Sequence, residues 1–413
     1  MTSESSDVAP RLRSTLETLG RAVFLVSFPF GILSFVLPIY GKELGASALE
    51  VGGLFSAISL VPLVLRPFLG RALDRWGRRP FLLLGLGGYV AAMILFCAAD
   101  TVWLLTVARL VQGIGQAFLW ISAYTIVADA AAEKGRGFGS ITEATNRGAL
   151  IGTTFGFTAM FVLGSLDLGW EQIWFSLFAA YAVPSVFSLW IAWRGVPETL
   201  PKASERFKAP ADEHSLSGQL AALMGIVFVT GGSRAMIWPL LMIFLQDAFG
   251  TDADALAMAY IPAALISSFL PSRMGRIADR LGRKRPMVAG LIVGALASAL
   301  IPHLSSLLAL AALWAVETLG NTLSVPAERA FVADIAGERI RGASFGLYTF
   351  AHFLGATAGP LFGGWLYDYV GHVIPFYVNT GALVFGAVLV ILVLRESRAP
   401  SLGPSIPHVP PPA

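Results

Sequence analysis

The chain has 413 residues, 55% of them hydrophobic and only 13% charged, with a mean hydropathy of +0.70 and a formal net charge of +3. Soluble globular proteins carry about 25% charged residues, so this composition excludes a soluble domain. The small basic excess lies between apolar runs and gives no basis for nucleic-acid binding.

The apolar runs are apolar all round. A membrane β-barrel is therefore excluded, because its strands alternate apolar and polar over about ten residues. An all-α polytopic membrane protein remains, since helices satisfy their own backbone hydrogen bonds in lipid. The single cysteine, Cys97, lies inside an apolar run and allows no internal disulfide framework. Met1 to Arg13 shows no short apolar core with a cleavage site, so the first span is expected to act as the insertion signal.

Twelve windows have the length of about twenty residues that a spanning helix needs. They run roughly 18–41, 50–70, 80–98, 102–128, 138–162, 172–194, 217–247, 254–273, 286–302, 305–330, 343–368 and 373–394. A polar N-terminal tail, 1–17, precedes them, and a proline-rich tail expected to be disordered, 395–413, follows. The one long polar connection, 195–216, begins near Pro197 and Pro201 and separates two sets of six, 18–194 and 217–394.

Between the second and third segments stands Gly70-Arg71-Ala72-Leu73-Asp74-Arg75-Trp76-Gly77-Arg78-Arg79-Pro80, a cluster of charge wedged between apolar runs. In the fourth segment Arg109, Gln112, Gln116 and Trp120 fall at i, i+3, i+7 and i+11, one helical stripe. Glu143 and Arg147 lie four apart in the fifth and can neutralise each other, which fits a structural pair as well as a proton-handling one. In the seventh, Arg234 sits beside Gly231 and Gly232 with no acid near it in sequence, and is expected to face a cavity.

The charged cluster returns between the eighth and ninth segments as Gly275-Arg276-Ile277-Ala278-Asp279-Arg280-Leu281-Gly282-Arg283-Lys284-Arg285-Pro286, displaced by 205. At the same displacement Val127-Ala128-Asp129 matches Val332-Ala333-Asp334, while Gln112 and Gln116 match Glu317 and Asn321 of the tenth segment. Ser324 and Glu328 continue that stripe. Gly148, Gly152 and Gly156 match Gly355, Gly359 and Gly363 after a slip of two. Such a repeat predicts two pseudo-symmetric six-helix bundles with substrate between them. The matched stripes read as two walls of one cavity, with helix–helix hydrogen bonding as the plainer alternative. The glycine ladders read as packing surfaces. His352 can titrate or simply hold a polar contact.

Lysine and arginine fix the orientation. One set of loops holds Arg71, Arg75, Arg78, Arg79, Lys134, Arg136, Lys202, Arg206, Lys208, Arg273, Arg276, Arg280, Arg283, Lys284, Arg285, Arg339 and Arg341. The other holds Lys42, with Asp247, Asp252 and Asp254. Both termini are expected in the cytoplasm, with the chain in the plasma (inner) membrane.

These motifs resemble the major facilitator superfamily over nearly the whole chain. Gly70, Asp74, Arg75, Gly77, Arg78 and Arg79 meet its G-x-x-x-D-R-x-G-R-R signature, and the second copy meets it with Lys284 replacing one arginine. Arg109, Gln112, Gly113 and Gly115 meet R-x-x-Q-G-x-G, and the sixth segment ends in Pro197-Glu198-Thr199. Gly355, Gly359, Pro360, Gly363 and Gly364 resemble the antiporter pattern G-x-x-x-G-P-x-x-G-G, but in the eleventh segment; the fifth has Thr153 at the proline position. The first segment also lacks the acidic residue that several multidrug members carry there.

The resemblance implies a conformational latch, and the spacing permits it. Asp74 would meet the N-terminus of the eleventh helix, Arg75 or Arg78 would pair with Asp129, and Asp279, Arg280, Arg283 and Asp334 would repeat the set. These contacts would break as the halves rock; the plainer role for the arginines is topology and lipid phosphate. Secondary transport by rocker-switch alternating access follows, with proton-coupled efflux of an amphiphilic, drug-like compound as first reading. Glu317 and Glu143 are the proton carriers expected, with Arg109 modulating them as the resemblance implies. The alternatives are a permease for an anionic metabolite using Arg234 and Arg147, and a transporter-like receptor or scaffold that moves nothing. The partners expected are a small-molecule substrate, protons and the bilayer, with the chain working as a monomer. No phosphate-binding loop, zinc-ligand set or nucleophile–base arrangement is present in the sequence, and Gly113-Ile114-Gly115 lies inside a span, out of context for a dinucleotide fingerprint. No ATP, no cofactor and no enzymatic activity are expected.

Overall fold

A computed structural model of the chain describes residues 4–130, 134–166, 168–200, 218–249, 253–270, 274, 281–336 and 341–395. Among them are thirteen α-helices and no strand. In chain order these are α1 (Glu4–Val26), α2 (Pro29–Glu43), α3 (Ala48–Trp76), α4 (Arg79–Cys97), α5 (Val102–Ala130), α6 (Lys134–Gly164) and α7 (Trp170–Gly195). The second set is α8 (Gly218–Phe249), α9 (Ala253–Phe269), α10 (Lys284–Leu300), α11 (Leu307–Ala336), α12 (Arg341–Tyr369) and α13 (Ile374–Leu392).

The first segment is broken into α1 and α2 by a turn at Ser27 and Phe28. Pro29 opens α2, where its missing N–H costs nothing, and the Ser27 hydroxyl donates back to the Val23 carbonyl at 2.7 Å. The N-terminal tail is helical from Glu4. The second segment likewise runs on as helix to Trp76, so Arg71, Asp74 and Arg75 end a helix instead of lying in a loop. The connection shrinks to Gly77 and Arg78, with Gly77 at φ +99° and its repeat partner Gly282 at φ +84°. Both positions need the left-handed region, which explains why the repeat keeps glycine there.

Ten of these segments are long and apolar enough to cross a membrane by themselves. The eighth falls short because α9 has 17 described residues. The eleventh, α12, is diluted by glycine and polar aromatics, and it packs on both α3 and α8.

The glycine ladders set these close approaches. Gly148 and Gly152 of α6 lie against the carbonyls of Phe24 and Phe28, while Gly355 and Gly359 of α12 lie against Gly232 of α8. A side chain at any of the four would collide with backbone. Within each half the helix pairs α4–α5 and α10–α11 pack closely, and α3–α12, α2–α8 and α6–α9 join one half to the other.

The cores are unequal along the membrane normal. On the face away from the termini one apolar cluster runs through both halves, joining Phe35, Tyr40, Phe96 and Trp174 to Met236, Leu240, Trp314 and Phe376. On the termini-bearing face the described residues form separate cores: the first half has one on Leu19, Leu86, Ile126 and Ala192 and a smaller one on Leu69, Leu73 and Phe81, and the second half has one on Leu223, Leu291, Phe331 and Leu383. Among the described residues the halves therefore share one core on the first face and keep their cores apart on the second.

Candidate substrate site between the halves

The seal is polar as well as apolar. Lys42 at the end of α2 pairs with Asp247 near the end of α8, and the Tyr367 hydroxyl donates to Asp247 Oδ2 at 2.8 Å. Asp368, at the end of α12, accepts the backbone N–H groups of Ala48 at 3.1 Å and Leu49 at 2.8 Å. Those are orphan donors of the first turn of α3, where the helix dipole favours a carboxylate. Gly52 against Pro360, and Gly364 against Ala48 and Leu49, let the two backbones approach that closely. No motif in the sequence marks this network, though one signal is there. Lys42 and Asp247 stand 205 apart, the repeat displacement, so a pseudo-two-fold axis between the halves brings these opposite charges together.

On the other face, Arg78 is buried; its Nε donates to Asp129 Oδ2 at 3.1 Å and its Nη1 to the Leu73 carbonyl at 2.9 Å. Glu198 closes the cluster, accepting the backbone N–H groups of Arg78 at 2.8 Å and Arg79 at 3.1 Å. Thr199 and Leu200 also donate their N–H groups to it, at 3.0 and 2.9 Å. Every member of this cluster belongs to the first half. The Arg78–Asp129 pairing expected from the sequence is formed, and in this conformation it lies within the first half. It staples the α3–α4 turn to the ends of α5 and α7.

Arg75 is exposed, with its guanidinium 5.7 Å from the Trp76 ring, and is not bonded to Asp129. Arg79 Nη2 donates to the Trp193 carbonyl at 2.7 Å, and Lys284, 205 residues on, donates to the Ile391 carbonyl at 2.7 Å. Each half thus ties its turn to its own last helix. Gly70 lies within α3, Gly77 is buried, and Gly282 and Arg283 are partly buried. Gly275, Asp279 and Arg280 lie outside the described residues, as do the side chains of Asp74 and Asp334.

Between the two faces the stripes do not behave alike. Arg109 and Gln112 of α5 are buried; Arg109 Nη1 donates to Gln112 Oε1 at 2.8 Å and the guanidinium lies 5.0 Å from the Phe55 ring. This end of the stripe is packed inside the first half rather than lining an open cavity. Further along it, Gln116 keeps a buried Oε1 without a partner, and Trp120 packs on Phe30 and Tyr124.

Arg234 of α8 is not without acids. Its Nη2 donates to Ser324 Oγ at 3.3 Å, and it interacts electrostatically with Glu317 and Glu328, all three on α11. No acid is close to it in sequence; the fold supplies them from a helix about ninety residues away. Asn321 is partly buried on α11 between Glu317 and Ser324. Glu328 accepts the Tyr348 hydroxyl at 2.8 Å. Glu143 and Arg147 form their ion pair on an exposed face of α6.

Two arginines enter the region that sequence reasoning did not single out, and they gather around His352. Arg66 of α3 lies 4.4 Å from the Phe353 ring of α12, and Arg329 of α11 interacts with Tyr124 of α5 and with Tyr348 of α12. His352, exposed on α12, interacts with Arg66, Arg234 and Arg329. None shares a spacing or motif with the others, so no pattern in the sequence marks them as a group.

Residues 20–221 and 223–409 match the description of the Major Facilitator Superfamily. The chain is 24% identical over 381 residues to multidrug resistance protein 1 of Bacillus subtilis (strain 168), covering 91% of this chain and 95% of that protein. It is 27% identical over 405 residues to the class G tetracycline resistance protein of Vibrio anguillarum, covering 92% and 95%. Its fold matches that of a point mutant of the nucleoside transporter NupG with a TM-score of 0.72 at 14% identity, over 91% of this chain and 99% of the other.

Proposed function

The chain belongs to the Major Facilitator Superfamily, and from that premise we propose that it exports an amphiphilic, drug-like compound from the cytoplasm in exchange for protons. It is a transporter and not an enzyme. The observation that carries the proposal is the asymmetry of the seal: one continuous core and a polar network close one face, while the halves keep separate cores on the other. A carrier that alternates between two such arrangements exposes a central site to each side in turn. The lysine and arginine distribution supports cytoplasmic termini, and hence an open face toward the cytoplasm, with the membrane taken to be the plasma membrane. The relatives named for multidrug and tetracycline resistance support export of amphiphiles.

Glu317 is the residue best placed to carry the proton. It sits within a span beside Arg234, where protonation of one releases the other to substrate, and a lone charge there costs roughly 2.5–3.5 kcal/mol. Glu143 is less suited, because Arg147 already neutralises it on an exposed face. The latch belongs to the alternate state: with the termini-bearing face closed, Asp74 would cap α12 as Asp368 caps α3 here.

Proteoliposomes loaded with a fluorescent amphiphilic dye or with tetracycline test this. An imposed proton gradient should drive net movement against the compound's own gradient, and dissipating the proton gradient should stop it. Gradient-independent behaviour across a broad panel would favour the receptor or scaffold reading instead.

A further inference from the structure

The residues between the halves carry an imbalance of charge that the export reading does not use. Four guanidinium groups, from Arg66, Arg109, Arg234 and Arg329, face only two carboxylates, Glu317 and Glu328, among the described residues of this region. The Glu143–Arg147 pair neutralises itself and leaves the balance unchanged. Glu317 and Glu328 both act on Arg234, Glu328 also acts on its neighbour Arg329, and Arg109 is packed against Gln112 and Phe55. Arg66 is left without a carboxylate, and Arg329 shares Glu328 with Arg234.

These two come from opposite halves and converge. Both interact with Tyr124, which is 42% exposed, and both interact with His352 on α12. Arg66 keeps a buried Nε without any hydrogen-bond acceptor and rests on the Phe353 ring. No carboxylate among the described residues lies within ion-pair distance of either guanidinium. The Tyr348 hydroxyl meets Arg329 as well as Glu328, so Arg329 is oriented while much of its side chain stays accessible. Unneutralised charge inside a span is costly unless it faces protein partners, water or a ligand. Two guanidinium groups on facing walls, with one carboxylate shared three ways near them, also repel each other, and more so when the walls close.

We propose that Arg66 and Arg329 form a subsite for the anionic group of the exported amphiphile, a carboxylate or sulfonate joined to an aromatic body. The proposal rests on the export reading for its substrate and names the class. Guanidinium forks suit such groups because they offer two parallel N–H donors in a plane. Phe353 and Tyr124 flank the site and would take the aromatic body. An anion held between the two arginines also relieves their repulsion, so loading with substrate favours closure of the open face.

The test uses the full chain in nanodiscs of zwitterionic phosphatidylcholine, with three probes of one aromatic body: 1-naphthalenesulfonate, 1-naphthalenesulfonamide and 1-naphthylmethylammonium. Equilibrium dialysis should find the sulfonate bound at least about tenfold more tightly than the uncharged sulfonamide, and the ammonium weakest. Arg66→Gln and Arg329→Gln should each weaken the sulfonate about tenfold and leave the sulfonamide unchanged, while Arg66→Lys and Arg329→Lys retain part of the preference. Equal or tighter binding of the sulfonamide or the ammonium to the unaltered chain overturns the proposal without any variant being needed. A sulfonate preference that survives both glutamine substitutions overturns it too. The two readings separate in flux: sulfonate that binds through the arginines but ignores a proton gradient removes proton-coupled export and keeps the subsite. Gradient-driven dye export with no sulfonate preference does the reverse.

Discussion

Asp368 offers the sharpest handle on the sealed face. Its two carboxylate oxygens accept one N–H each from Ala48 and Leu49, so the carboxylate joins the second half to the first turn of α3 in the first half. Asp368→Asn removes the charge and turns one acceptor into a donor that faces an N–H. A carboxylate at an exposed helix N-terminus is worth about 0.3–1 kcal/mol, and up to about 2 where partly buried. Hydrogen bonds to a charged group contribute roughly 1.5–3 kcal/mol. Asp368 is exposed, so solvent discounts both figures. A loss of about 1–2 kcal/mol remains, which multiplies the population open on that face by roughly 5–30. Spin labels at Glu43→Cys and Ser305→Cys, in a Cys97→Ala background, report the separation of the halves there. Double electron–electron resonance should show a longer-distance population growing in Asp368→Asn and absent from the charge-retaining Asp368→Glu. Identical distance distributions in Asp368→Asn and the parent would refute the reasoning, because the cap would then contribute nothing to the seal.

The other predictions address packing, the staple and coupling. Gly364→Leu places a Cβ 2.5 Å from the Leu49 Cα, so the α3–α12 approach must widen. Overpacking of that kind costs about 1–3 kcal/mol, and thermal unfolding in detergent should fall while the longer-distance spin-label population rises. Glu198→Gln weakens a carboxylate that accepts four backbone N–H groups around the α3–α4 turn. A loss of about 1–2 kcal/mol is expected, read as a lower unfolding temperature with the spin-label distances unchanged, since the staple lies within one half. Glu317→Gln should abolish gradient-driven accumulation in proteoliposomes yet preserve substrate counterflow, which needs binding and alternation but no proton. Retained accumulation would remove Glu317 from the coupling role.

Particular residues show how far the chain can be read without its fold. Ten of the twelve segments follow from apolar length alone, and Gly77 and Gly282 are turn positions that the repeat itself marks. The pairing of Arg78 with Asp129 is within reach by spacing, but in the sequence Glu198 is only part of a family ending. Its role at the centre of the staple depends on α7 returning to the α3–α4 turn, a contact separated by 120 residues. Arg234 is expected to look for a partner across a cavity, and Glu317 and Ser324 are on a helix that the repeat aligns with the fourth segment. Lys42 and Asp247 lie between the two cases: their spacing equals the repeat displacement, a signal that becomes meaningful once an axis between halves is assumed.

Apolar length, charge asymmetry and internal repetition are one-dimensional properties, and they suffice to make this a membrane-spanning chain of two related halves. Which face is sealed, that Glu198 joins the Arg78 cluster, and that Arg66 and Arg329 meet near His352 emerge only once the helices are packed. Those outcomes depend on which helices from opposite halves come together, and hydrophobic helices of similar length carry no local mark of their partners. Close approach is set by where glycines let backbones touch, and the charged side chains then find one another across distances that no spacing in the sequence encodes.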